Sequence, residues 1–261
     1  MKGSSIAVEE KNSFAPNNFQ SRDGNIKFSW ENKNFKEHRF FKLKRLFDII
    51  VSCSGLVFLL PFMILVIIAI RVSSKDPVFF TQSRVGQKGK IFKVVKFRTM
   101  IVGGEKEGSI TTATDKRVTK IGRWIRRFKL DEYPQLWNVL IGNMSLVGPR
   151  PDVPGYADRL RGRARAILSL RPGITGPATL YFKNEEKLLD QSEDPKRYND
   201  YVVYPAKVAL NLDYLERWSF SRDIGYILVT VFPFLERFLR LVPDENINTL
   251  AHNGIEACRE R

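Results

Sequence analysis

Positions 49–70 hold no charged side chain. The run opens with Ile49-Ile50-Val51, passes Gly55 and Pro61, and closes with Phe62 to Ile70. Its length suits a bilayer hydrocarbon core of about 30 Å. The competing reading is a helix buried in a soluble core, but such a helix normally keeps a polar face. Basic residues flank both ends: Lys42, Lys44 and Arg45 before it, Arg71 and Lys75 after it. Positive charge favours the cytoplasmic side, so both ends qualify for that side. Pro61 falls near the middle, where it removes a backbone hydrogen bond and bends a helix. Physical reasoning alone leaves two topologies open: a simple span, and a bent helix that enters and leaves by one face.

The rest of the chain is strongly basic. Lys and Arg number 43 against 28 Asp and Glu, a formal net charge of +15. That balance points to an anionic partner: nucleic acid, an anionic membrane surface or a phosphate-rich substrate. Cys53 and Cys258 suggest neither a disulfide framework nor a metal cluster. The histidines, His38 and His252, lie outside the central region. A Ser-His-Asp triad or a histidine zinc site is thereby nearly excluded over 40–240.

Residues 1–38 are polar and read as a poorly ordered tail. From 76 to 100 the pattern predicts short strands joined by a turn at Gly86 to Gly89. Gly86-Gln87-Lys88-Gly89-Lys90 has the wrong spacing for a phosphate loop. Residues 101–115 are expected to form a mobile loop. Val118, Ile121, Trp124, Ile125 and Phe128 recur at helical spacing over 116–129, with Arg and Lys between them. This suits an interfacial helix, although a solvated face over an ordinary core gives the same pattern. Further helices are expected from near Asp131, at about 153–168 and 205–218, and over 223–241 with a break at Pro233.

Asp131 and Glu132 stand between the basic helix and the start of the next. Helix N-termini offer free N–H groups and partial positive charge. With the nearby cations, that field is expected to keep Asp131 ionised, as a nucleophile or metal ligand requires. Phosphates would bind there for the same reason. The competing reading is plain helix capping. Lys96 and Arg98 alternate along a strand and share a face. Arg150, between Pro149 and Pro151, sits in a stiff turn suited to bidentate phosphate recognition. Arg171-Pro172-Gly173-Ile174-Thr175-Gly176-Pro177 is a second rigid turn able to shape a pocket.

Four ordered segments carry a resemblance: Lys96 to Met100, Asp131 to Leu140, Met144 to Pro151 and Arg171 to Gly176. Together they closely resemble the bacterial sugar transferase family, the monotopic polyprenyl-phosphate phosphoglycosyl transferases. The resemblance begins near Lys44-Arg45-Leu46-Phe47-Asp48 and runs to about residue 235. It implies transfer of a phosphosugar from a UDP-sugar to undecaprenyl phosphate, with release of UMP. It implies Mg²⁺ and an Asp-Glu dyad, with Asp131 attacking the β-phosphorus to give a covalent intermediate. Glu132 would help with the metal or position the second substrate, so both carboxylates are candidate metal ligands. Lys96, Arg126 and Arg150 match positions of phosphate contact, and Arg98 is added from its place in the motif.

The expected fold is α+β and mainly helical. It comprises a small membrane-associated catalytic domain with a re-entrant hydrophobic helix and interfacial amphipathic helices. The expected divisions are a tail at 1–38, a membrane helix at 39–75, a catalytic domain at 76–240 and a C-terminal tail at 241–261. The length matches the minimal catalytic form of the family. The implied place is the bacterial inner membrane, with the site on the cytoplasmic face among membrane lipids; a homo-oligomer is left open. Two rivals remain. One is a nucleic-acid-binding protein on a membrane anchor, but no nucleic-acid motif is present, so nucleic acid is not an expected partner. The other is an inactive structural subunit of a polysaccharide complex, against which the Asp131-Glu132 pair argues.

Overall fold

The computed structural model describes residues 37–104, 115–241 and 243–259, and side chains from Lys42 onward. Most of the expected N-terminal tail and the tip of the expected 101–115 loop lie outside the described residues. The chain opens with one helix, α1 (Glu37–Ser73), which continues through Pro61. A hairpin follows, β1 (Phe79–Val85) antiparallel to β2 (Ile91–Phe97), with Val85 opposite Ile91. Next come α2 (Lys120–Arg127), a 3-10 turn at Leu130–Glu132, α3 (Gln135–Leu140) and β3 (Ser145–Val147). β4 (Gly173–Thr175) pairs with β3 in parallel. The remainder is helical: α4 (Pro177–Tyr181), α5 (Glu185–Asp190), α6 (Pro195–Tyr198), α7 (Tyr204–Glu216), α8 (Phe220–Val231), α9 (Glu236–Leu239) and α10 (Ile247–Arg259). The mainly helical α+β class is as expected, and so are the hairpin, α7 and the break at Pro233.

Two expectations are corrected. The helix predicted at 153–168 is instead two 3-10 segments, Ala157–Arg159 and Gly162–Ser169. Gly155 and Gly162 adopt positive φ, which an α-helix does not permit. The C-terminal segment 241–261 is not a loose tail, because α10 packs along α7. Leu250, Ala251 and Ala257 are buried, and a Cβ on Gly254 would stand 1.9 Å from the Pro205 carbonyl oxygen. Only glycine allows the two backbones to approach that closely.

α1 is long and apolar enough to cross a membrane, and only 11% of its most apolar stretch is buried. That exposure rules out an ordinary core helix. Val57, Phe58, Leu65 and Val72 are all exposed, an arrangement compatible with membrane association. One stripe of α1 does touch the domain. Lys44, Asp48, Ser52, Val66 and Ile70 are buried, with Gly55, Leu59 and Met63 half-buried between them. These positions recur every three or four residues, so they share one helix face. Phe47 and Val51 pack on the core around Val139, Met144 and Tyr214, while Val66 and Ile70 pack with Val78, Phe97 and Ile125. Both ends of α1 therefore dock on the same domain.

Polar bonds fix the first end. Arg45 donates from Nη1 to the Val139 carbonyl at 2.6 Å and from Nη2 to the Leu140 carbonyl at 2.8 Å. These are carbonyls of the last turn of α3, which have no partner inside the helix. Asp48 accepts from the Leu146 N–H at 3.1 Å. Lys44 meets Asp223 of α8 at 2.5 Å, and Asp223 also accepts from Tyr214 Oη at 2.6 Å and Trp218 Nε1 at 3.1 Å. Removing one partner of a buried ion pair leaves an uncompensated charge, at a cost of about 3–5 kcal/mol. Asp223→Ala is therefore expected to lower the melting temperature of the detergent-purified protein markedly. A Lys44→Met, Asp223→Leu double variant should recover most of the loss, and an unchanged melting temperature in Asp223→Ala would refute the lock.

Candidate active site

The dyad lies where three segments meet. α2 stops early because Lys129 takes a left-handed conformation at φ 56°. Glycine or asparagine usually fills such a helix stop, so nothing in the sequence announced it. The turn throws Asp131 and Glu132 into the short 3-10 segment rather than into the first turn of α3, where they were expected. Asn138 of α3 then docks this region on β2. Its Oδ1 accepts from the Val95 N–H at 3.0 Å, and its Nδ2 donates to the Lys93 carbonyl at 2.8 Å. The amide thus imitates a third strand on the hairpin edge and sets the dyad beside Lys96.

Arg150 arrives from the other side. Gly148 donates to the Thr175 carbonyl at 2.9 Å, and Gly173 donates to the Pro149 carbonyl at 2.7 Å. A Cβ on Gly173 would fall 2.1 Å from the Gly148 nitrogen, so the two turns fit only as glycine. The Arg171 to Gly176 turn therefore acts from behind, by holding the Arg150 turn in place. β1 fixes the far side of that turn: Arg84 Nη1 donates to the Pro151 carbonyl at 3.0 Å, and Val85 N–H to the Asp152 carbonyl at 2.8 Å.

These supports produce an asymmetric dyad. Glu132 Oε1 receives Lys96 Nζ at 3.1 Å and a close ion pair from Arg150 Nη2, while Oε2 receives Arg150 Nη1 at 3.3 Å. Burial works against the Glu132 charge, but the Arg150 and Lys96 cations outweigh it and hold its carboxyl well below the usual range. Glu132 in turn raises Arg150, and burial lowers Lys96. Asp131 differs on every count. Among the described residues its carboxylate has no hydrogen bond or ion pair, although the residue is only 8% exposed. Burial raises its pKa, against the pull of Lys96 and with a further push from Glu132. Desolvation therefore opposes the cationic field of Lys96, Arg126 and Arg150 at Asp131, a term that the sequence alone did not show.

Both carboxylates open on a cavity of about 790 Å³, large enough for a nucleotide-sized ligand. Lys96, Arg126 and Arg150 line it. Arg126 also approaches Glu186 of α5 at 3.6 Å. Arg98 is placed elsewhere: its Nε donates to the Pro77 carbonyl at 2.9 Å and its guanidinium lies over the Phe80 ring. β2 ends at Phe97, so the alternation that would have set Arg98 beside Lys96 stops one residue short. Arg84, Asp152 and Lys207 line the cavity and were missed. Each lies in a different segment, and only the Pro151-Asp152 adjacency to Arg150 carried any signal.

No group of three metal-binding side chains occurs among the described residues. Mg²⁺, however, is usually held by one or two carboxylates together with substrate phosphates. The uncommitted carboxylate of Asp131 fits that requirement, whereas Glu132 has both oxygens engaged.

Residues 38–237 match the model of the bacterial sugar transferase family. A UDP-glucose:undecaprenyl-phosphate glucose-1-phosphate transferase of Klebsiella pneumoniae is 37% identical over 195 residues, covering 72% of this chain and 39% of the relative. An undecaprenyl-phosphate glucose phosphotransferase of Komagataeibacter xylinus is 40% identical over 196 residues, 72% of this chain and 35% of the relative. The exopolysaccharide production protein ExoY of Sinorhizobium fredii is 31% identical over 204 residues, 72% of this chain and 83% of the relative. The chain belongs to the bacterial sugar transferase family. It spans about two fifths of the length of the Klebsiella relative.

Asp152 supplies a pH signature. Burial pushes its carboxyl up to about 6, against Lys207 and Arg84, which lower it. Between the ordinary carboxylate value and 6 the folded state binds more protons than the unfolded state, so this group's contribution to stability falls as pH rises. Asp152→Asn is expected to remove the penalty and gain up to about 3 kcal/mol at pH 7 relative to pH 4. Unfolding of wild type and variant at the two pH values checks this, and an equal difference at both would refute it.

Proposed function

We propose that this chain is a phosphoglycosyl transferase. It moves a phosphosugar from a UDP-sugar to undecaprenyl phosphate, giving undecaprenyl-diphosphate sugar and UMP. The observation that carries the reading is the division of labour in the dyad: Glu132 is neutralised by Lys96 and Arg150, and Asp131 is left unbonded at the wall of a cationic cavity. A nucleophile must be free of competing bonds, and a polyanionic substrate needs cations already in place.

In the first step an Asp131 carboxylate oxygen attacks the β-phosphorus of the donor. The bond between that phosphorus and the oxygen bridging the two phosphates breaks, and UMP leaves with the electron pair. In the second step an oxygen of the lipid phosphate attacks the same phosphorus. The acyl-phosphate bond breaks, Asp131 is regenerated and the lipid diphosphate forms. Lys96, Arg126 and Arg150 hold phosphate oxygens and offset the repulsion between the two anions. Asp131 and the diphosphate oxygens would hold Mg²⁺, which when bound neutralises charge on the departing phosphate. Glu132 could join it only by releasing one of its cations, so its first task is to position Arg150 and Lys96.

The proposed membrane setting is supported by α1. Both of its ends dock on one domain, and Val57, Phe58, Leu60 and Phe62 in its middle are exposed. A helix perpendicular to a bilayer would carry one end about 30 Å away from the other face. The re-entrant arrangement keeps both ends beside the domain, on the cytoplasmic face of the bacterial inner membrane. Trp124 and Phe128 are exposed on α2 beside Arg123 and Arg127, as an interfacial helix requires. The product would start exopolysaccharide, capsule, O-antigen or glycan assembly.

Purified protein given undecaprenyl phosphate, Mg²⁺ and a panel of UDP-sugars should release UMP. Without the lipid it should hold a covalent phosphosugar adduct, detectable by intact mass, which Asp131→Asn abolishes. No UMP from any donor would sink the reading, and an adduct persisting in Asp131→Asn would move the nucleophile elsewhere. Cysteines placed at positions 42 and 75 should be labelled from the same side of sealed vesicles; labelling from opposite sides would make α1 a true span.

A further inference from the structure

The cavity has a second polar region that the dyad chemistry does not use. Asp152 shares Arg150 with Asp131 as a charged neighbour, but its other charged neighbours are Lys207, Arg84 and Glu185. Among the described residues its carboxylate has no hydrogen bond, since Lys207 is engaged with Glu185 at 2.6 Å and Arg84 with Pro151 and Gln82. One helical turn beyond Lys207, Asn211 also lines the cavity. It is 8% exposed, and its Oδ1 accepts no hydrogen bond. Thr179 lies on α4, which packs against α7 through Ala178, Ala206 and Leu210. Its buried hydroxyl also lacks a partner among the described residues, and the residue lines the same cavity.

Buried polar groups without partners are rare, because each forfeits its hydration and gains nothing in return. Two on one cavity, beside the half-buried and unbonded carboxylate of Asp152, therefore point to a ligand that completes them. Their chemistry is selective. A carboxylate accepts only, whereas an amide and a hydroxyl both accept and donate. A bare phosphate has no donors for Asp152 and would be repelled by it. A metal ion would face Lys207 and Arg84, and no group of three metal-binding side chains is present among the described residues. A ring with several hydroxyls satisfies all three side chains.

We infer that Asp152, Asn211 and Thr179 form a subsite for the hydroxyl-bearing ring of the nucleoside diphosphate sugar, adjoining the cationic region that takes its diphosphate. The inference rests on the transferase reading for the identity of the donor. Two rings of that donor share this chemistry, the transferred sugar and the ribose, and UMP, which carries only the ribose, separates them.

Calorimetry on the full chain in detergent would use UMP, UDP-glucose and UDP-galactose as probes. Thr179→Val keeps the side-chain shape and removes the hydroxyl, Asn211→Leu removes the amide at similar volume, and Asp152→Asn removes the charge. Each is expected to weaken binding of the tightest UDP-sugar by about ten- to a hundredfold, the worth of one buried hydrogen bond to a neutral or charged group. Thr179→Ser, which retains the hydroxyl, should bind as wild type does. Unchanged UMP affinity assigns the subsite to the sugar, and a parallel loss assigns it to the ribose. Wild-type affinity in all three variants, each shown to be folded, overturns the subsite, as it would if the groups were satisfied by buried water alone. The two proposals fail separately. UDP-sugar binding that is lost in the variants, with no UMP release from any donor, sinks the transfer reaction and leaves the subsite standing. UMP release with unaltered binding in the variants sinks only the subsite. No binding of any UDP-sugar overturns both.

Discussion

Glu132 ties the site together by being doubly neutralised. Lys96 comes from the hairpin, Arg150 from the turn before the 3-10 region, and Glu132 from the segment between α2 and α3. These pieces are distant in sequence and are seated by the core residues Val94, Phe97, Ile125 and Val147. A largely buried carboxylate needs cations, and Lys96 and Arg150 supply them, so the ion pairs add to the packing that fixes all three. The dyad is thus two residues of one kind with opposite environments. One is spent on structure and charge balance, and the other is kept bare at the price of desolvation.

Much of this was legible in the sequence where the signal is local. The apolar run of α1, the hairpin and the break at Pro233 follow from composition and turn residues. The dyad, Lys96 and Arg150 drew notice as charges in Gly- and Pro-rich segments, and the family resemblance joined them and added Arg126. What stayed hidden depends on contacts between segments. Lys129 stops a helix in a conformation normally left to glycine, and only tertiary contacts reveal that. Leu250, Ala251, Gly254 and Ala257 place small residues at helical spacing in α10, but small residues give a faint hydrophobic signal. Arg98 looked like a partner of Lys96 by alternation, and the strand simply ends before it. Arg84, Asp152, Asn211 and Lys207 meet at one cavity from three separate segments, with no spacing rule linking them.

The polar lock at the start of α1 explains how an apolar helix is held on a basic domain. Lys44, Arg45 and Asp48 spend their charges inward, on Asp223, the α3 carbonyls and the Leu146 N–H. The outward faces of the same helix remain apolar, so its polar bonds and its exposed apolar surface lie on different sides. α3 joins the two systems. Its last carbonyls take Arg45 at the membrane helix, and its Asn138 takes the edge of β2 beside Lys96. The height of the dyad relative to α1 is therefore set by one short helix bonded to both α1 and β2, rather than by a flexible linker.

The order of charge along the cavity also bears on why a covalent step suits this site. The cations Lys96, Arg126 and Arg150 form a single group, and Asp131 is the one dyad carboxylate not engaged by them. In the proposed reaction the donor diphosphate and the lipid phosphate would both draw on these cations. If the donor leaves its phosphosugar on Asp131 and UMP departs, the same cations become available to the lipid phosphate. The mixed polar region at Asp152 carries no such conflict, because a neutral ring can occupy it while the anions exchange. In the proposed reaction two successive displacements at Asp131 would thus let the two anions use Lys96, Arg126 and Arg150 in turn rather than together.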